Sequence, residues 1–127
     1  MPSIDHVAVY VRDLEATRDF YQRFFGATCN DGYHNPRTGL RTFFLSFDGG
    51  VRLEIMSKPG HEESPAKERA GWIHTAFSVG SREEVDAVAD RLREAGHVVT
   101  SGPRVTGDGC YEAVVLDPEG NEVEFVA

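Results

Sequence analysis

The chain has no apolar run longer than a handful of residues, whereas a membrane-spanning helix needs about 20. It has no basic surplus either: 13 Lys and Arg stand against 21 Asp and Glu, a net charge of −8. Nucleic acid and anionic membranes attract a basic footprint, so neither is expected as a partner. Cysteine is scarce. Cys29 and Cys110 form no CxxC pair and lie far apart in sequence, which excludes a disulfide scaffold and fits a reducing, cytoplasmic compartment. Both are read as ordinary, partly buried thiols. The opening MPSIDHVAVYV has no basic stretch and no cleavage-like segment, so no secretory signal is expected. What remains is 127 residues, 40% hydrophobic and 27% charged, enough for one globular domain.

The most informative feature is an internal repeat. IDHVAVYV (4–11) and WIHTAFSV (72–79) align His6 with His74, and each closes on valine, Val11 and Val79. A helical stretch follows each. In DLEATRDFYQRFFG, Asp13 is the cap, Leu14, Thr17, Tyr21 and Phe24 recur at helical spacing, and Gly26 is the stop. In SREEVDAVADRLREAG, Ser81 and Glu84 have capping-box spacing, Val85, Val88, Ala89 and Leu92 form the stripe, and Gly96 ends it. RTFFLSFDGGVRLEIM (41–56) then aligns with YEAVVLDPEGNEVEFV (111–126), each run a hairpin around a turn signal. The stretches before these hairpins read as a short strand plus a Gly-rich loop. The result is an α+β fold of two paired βαβββ modules in one domain, residues 1–57 and 72–127. Residues 58–71, broken by Pro59, Gly60 and Pro65, join them.

Alternation along the strands sorts the side chains. Val7, Val9 and Val11 oppose His6, Ala8 and Tyr10, and Ile73, Thr75, Phe77 and Val79 oppose His74, Ala76 and Ser78. Val51, Leu53 and Ile55 oppose Arg52, Glu54 and Met56, and Val123 and Phe125 oppose Glu122, Glu124 and Val126. With the apolar faces on the helices, the opposite faces carry His6, Glu54, His74 and Glu124. Two carboxylates turned into a cleft repel and resist desolvation, and a divalent cation is the simplest remedy. Four such ligands on an octahedral ion leave two positions open, the layout of a catalytic site. Arg52 and Glu122 occupy equivalent positions in the two halves, as an ion pair, as supports for the ligating carboxylates, or as a solvated pair. His34, His61 and His97 sit in loop contexts and are not favoured as ligands.

DHVAVYVRDLEATRDFYQRFFG, RLEI, WIHTAFSV and LDPEGNEVEF together resemble the vicinal oxygen chelate superfamily over nearly the whole chain. That superfamily includes glyoxalase I, bleomycin-resistance proteins, methylmalonyl-CoA epimerase and extradiol dioxygenases. The resemblance implies that the paired modules form a curved-sheet cleft. The His–Glu–His–Glu order is similar to bacterial-type glyoxalase I. It implies metal ligands His6, Glu54, His74 and Glu124, and one divalent ion per site: Ni, Co or Zn, with Fe or Mn also compatible. The implied reaction isomerises the hemithioacetal of a 2-oxoaldehyde through a metal-stabilised enediolate, with Glu124 as base and Glu54 as its counterpart. Two positions depart from the glutathione-using pattern: Tyr10 stands where those proteins carry arginine and Lys58 where they carry asparagine. Tyr10, Arg52, Met56, Lys58 and Glu122 are the expected substrate-facing or supporting residues.

A small-molecule substrate, in one form a thiol adduct, and a homodimer are the implied partners. Two other readings stay open. An Fe(II) extradiol-type dioxygenase or a thiol transferase needs only His6, His74 and Glu124, and the extra Glu54 counts against it. A metal-free drug-binding resistance protein would lack the ligands. The quartet can be completed within one chain or across a dimer.

Overall fold

A computed structural model describes residues 1, 3–63 and 70–127, so the middle of the expected linker lies outside the described residues. The chain divides into two compact units, Met1–Pro65 and Ala66–Ala127.

In the first unit the elements are β1 (His6–Tyr10), α1 (Leu14–Phe25), β2 (Thr28–Cys29), β3 (Tyr33–His34), β4 (Arg41–Ser46) and β5 (Arg52–Ser57). The sheet runs β1-β5-β4-β2, with β3 paired to β4. In the second they are β6 (His74–Ser78), α2 (Arg82–Glu94), β7 (Val99–Val105), β8 (Tyr111–Leu116) and β9 (Glu122–Val126), in the order β6-β9-β8-β7. The repeat is therefore topological: in each unit the first strand runs parallel to the last, and hairpins make the rest. The first unit adds the two-residue β3, where a loop is expected.

Local chemistry sets the helix ends. The Asp13 carboxylate accepts from the Ala16 backbone N–H, and Gly26 closes α1 in the left-handed region at φ 66°. The Ser81 hydroxyl accepts from the Glu84 N–H at 3.1 Å and opens α2. Each helix turns its apolar stripe to its sheet. Leu14, Phe20, Tyr21 and Phe24 meet Leu45, Leu53 and Ile55 in one buried cluster. Val85, Val88, Ala89 and Leu92 meet Ala113, Val115, Val123 and Phe125 in the other.

The helices do not cover the first strands, as parity suggests they should. α1 packs on β2, β4 and β5, and α2 on β7, β8 and β9. A helix about 10 Å wide, seated over those three strands spaced about 4.8 Å apart, does not reach the first strand at the edge of the sheet. On β1 the apolar face is therefore left open at Val7, and only Val11, beyond the strand, is buried. Trp72 and Ile73, entering β6, are exposed too. Among the described residues no helix is long and apolar enough to cross a membrane.

Candidate functional site

Register places the polar residues of each unit. β1 pairs with β5 so that His6 lies opposite Arg52 and Ala8 opposite Glu54. The small Ala8 leaves His6 free to lean toward Glu54, and His6 Nε2 stands 3.8 Å from Glu54 Oε1. In the second unit His74 lies opposite Glu122 and Ala76 opposite Glu124. There His74 Nε2 stands 3.3 Å from Glu124 Oε2. The β8–β9 turn fixes how β9 lies against β8. The Asp117 carboxylate accepts from the backbone N–H groups of Glu119 and Asn121, each at 2.9 Å, and Gly120 takes φ 82°. DPEGN thus sets where Glu124 falls.

The surroundings of the two pairs differ. In the first unit Asp5 Oδ2 accepts from His6 Nδ1 at 2.8 Å and from Arg52 Nη2 at 2.7 Å. The hydrogen bond from His6, then that from Arg52, hold the Asp5 carboxyl below the usual carboxylate range. Arg52 lies over the Phe44 ring at 4.3 Å, and His6 meets the same ring edge-on at 5.3 Å. In the second unit Glu112, on β8, borders Glu124. Burial, then a hydrogen bond and charge from Glu112, push the Glu124 carboxyl up, while His74 opposes them. Glu112 Oε2 is buried and has no hydrogen-bond partner among the described residues.

The donors present fit a divalent cation. Neutral imidazole and carboxylate are ligands for Ni, Co, Zn, Fe and Mn alike. Two donors bound to one ion at about 2.0–2.2 Å sit about 3–3.5 Å apart, close to the two His–Glu spacings. Glu112 Oε2 is unpartnered beside Glu124, whose carboxylate form burial disfavours, and a cation is one group that would satisfy both. Among the described residues no group of three or more His, Cys, Asp or Glu side chains is arranged so that it could hold a metal ion.

Residues 3–125 match the Glyoxalase/Bleomycin resistance protein/Dioxygenase superfamily. The chain belongs to this superfamily. It is 33% identical over 114 residues to the ethylmalonyl-CoA/methylmalonyl-CoA epimerase of Cereibacter sphaeroides, covering 84% of this chain and 81% of that protein. It is 27% identical over 126 residues to the lactoylglutathione lyase of Haemophilus influenzae, covering 95% and 89%. The trypanothione-dependent glyoxalase I of Leishmania major superposes with a TM-score of 0.81 at 19% identity, covering 99% and 86%, and shares the fold. The fold expected from the sequence is the one this superfamily has.

On this glyoxalase-superfamily chain the other expected residues separate. Met56 pairs with Tyr10 between β5 and β1, and the Tyr10 ring meets the His61 ring edge-on at 4.4 Å. Lys58 follows β5, and its carbonyl accepts from the His61 N–H. Glu122 sits beside His74. Arg52 takes a different role from support of a carboxylate ligand: its guanidinium binds Asp5, which holds the histidine. Asp5 and Glu112 are the residues not expected from the sequence, although Glu112 shares the strand face of Val114, which pairs with Glu124. Cys110 is exposed rather than partly buried. Burial raises the Cys29 pKa and the charge of Asp108 raises that of Cys110, so both thiols stay protonated and are poor nucleophiles.

Proposed function

We propose that this chain is a divalent-metal-dependent enzyme that moves a proton at a carbon beside a carbonyl. His6, Glu54, His74 and Glu124 are the ligands, completed within one chain or between two. The observation that carries this reading is the duplicated His–Glu pair, built at equivalent positions of two units with the same topology. A bound Ni, Co or Zn ion supplies Lewis acidity, which makes a neighbouring C–H acidic. Glu124 takes the proton. Its place beside His74 on neighbouring strands, equivalent to that of Glu54 beside His6, is what supports it as the general base. Glu54 is its counterpart and returns the proton on the other side. Tyr10 and Met56, paired on neighbouring strands, flank the substrate.

We read the substrate as the hemithioacetal of a 2-oxoaldehyde, on a thiol such as glutathione, as the lactoylglutathione lyase relative suggests. A second reading is favoured by the epimerase relative and by Tyr10 and Lys58, which depart from the glutathione-using pattern. There the substrate is an acyl-CoA thioester, and the same two carboxylates exchange a proton between faces of one carbon. Both readings describe a cytoplasmic enzyme. The exposed Val7, Trp72 and Ile73 favour a homodimer.

The test offers metal-loaded protein methylglyoxal with glutathione, and separately methylmalonyl-CoA in D₂O. Isomerisation in the first assay supports the hemithioacetal, and deuterium exchange in the second supports the thioester. Inactivity in both, with Ni, Co or Zn bound, sinks the proton-transfer proposal.

A further inference from the structure

The two His–Glu pairs are alike in register and unlike in what stands behind the histidine. His74 is preceded by Ile73, an apolar residue that is exposed. His6 is preceded by Asp5, whose carboxylate faces the nitrogen of His6 that points away from Glu54. Asp5 is itself held from several sides. Arg52 Nη2 reaches its Oδ2 at 2.7 Å, the Arg52 backbone N–H donates to its carbonyl at 3.1 Å, and Phe44 underlies both Arg52 and His6.

A neutral imidazole carries one proton, on either nitrogen. An ionised carboxylate only accepts. A bond between His6 Nδ1 and Asp5 Oδ2 therefore requires the proton on Nδ1. Nε2 is then left with a bare lone pair on the side of Glu54, which is the form a cation takes. Without Asp5, Glu54 is the carboxylate in reach of the ring, and it draws the proton to Nε2, where it blocks a metal. We propose that Asp5 is a positioning residue: it fixes the ring proton of His6 on Nδ1 and so makes the first His–Glu pair ready for a cation. The consequence for metal affinity rests on the reading above, and the tautomer does not.

Asp5 is largely exposed, so its contacts contribute little to stability and its removal leaves the fold in place. The test uses the full chain, labelled with ¹⁵N, freed of metal by a chelator and held above about pH 8, where histidine is neutral. Long-range ¹H–¹⁵N spectra read the tautomer of each ring. Wild type gives His6 as the Nδ1–H form. Asp5→Ala moves His6 toward Nε2–H and leaves His74 unchanged, and Asp5→Asn, which still offers an acceptor oxygen, restores most of the wild-type pattern. Titration with Zn²⁺ then shows affinity lowered roughly 10–100-fold in Asp5→Ala and less in Asp5→Asn. An unchanged His6 tautomer in Asp5→Ala, or an unchanged affinity once the tautomer has moved, overturns the proposal. Wild type that binds no Zn²⁺ while the tautomer moves as described removes the metal reading and leaves the role of Asp5 in fixing the ring supported.

Discussion

Glu112→Gln should stabilise the metal-free protein, although it replaces a partly buried residue beside the site. Glu112 Oε2 is buried without a partner, and Glu112 helps push the neighbouring Glu124 carboxyl upward. An unsatisfied buried polar group costs about 1–3 kcal/mol. Glutamine keeps the shape, removes one negative charge and offers an N–H to the Glu124 carboxylate. Glu124 retains 20% of its side-chain exposure, which screens part of the effect. A gain of about 1–2 kcal/mol at pH 7 is reasonable, or about 3–8 °C in melting temperature for a chain of this size.

The pH dependence has a definite sign. The Glu124 pKa is raised in the folded protein above its ordinary value of 4.5. Its contribution is fully present below that value and is lost as pH rises through the folded pKa. Wild type should therefore lose stability across that window, and the advantage of Glu112→Gln should open there and be small at pH 4. Thermal or urea unfolding in chelator between pH 4 and pH 8 reads both. A less stable Glu112→Gln at pH 7, or an advantage equal at both ends, refutes the picture of a carboxyl pair lacking positive charge.

Glu124→Gln, in metal-loaded protein, should lower turnover by about 10²–10⁴-fold if Glu124 is the base, read in whichever of the two assays the wild type supports. Ser81→Ala removes the acceptor for the Glu84 N–H and should cost about 1 kcal/mol in urea unfolding. Gly102→Ala should cost at least about 2 kcal/mol, because Gly102 has φ +75° and a Cβ there would lie 2.4 Å from the Glu112 carbonyl oxygen. Near-wild-type stability of that variant would mean that β7 can move away from β8.

The fold was legible because its signals are local and occur twice. Asp13, Ser81 and Gly26 act within one helical turn, and DPEGN ties its own turn through Asp117. Alternation then aligned His6 with Glu54 and His74 with Glu124, since each pair sits on neighbouring parallel strands. The environments of those pairs were not legible. Asp5 lies one residue before β1, where strand parity no longer says which way a side chain turns. Glu112 reaches Glu124 from a different strand, through a register in which Glu112 faces Val126 and Val114 faces Glu124. Helix width, which no periodicity encodes, left β1 and β6 uncovered. The partner of Arg52 could not be read either, because its equivalence to Glu122 suggested a pairing across the repeat.

The most direct measurement is metal binding by the wild type and by His6→Ala, Glu54→Gln, His74→Ala and Glu124→Gln. Elemental analysis and calorimetric titration with Ni²⁺ and Zn²⁺ give stoichiometry and affinity. If the two His–Glu pairs serve one ion, the wild type binds one equivalent per chain and every one of the four substitutions weakens it. No binding by the wild type, or a loss confined to the substitutions of a single pair, contradicts a shared centre.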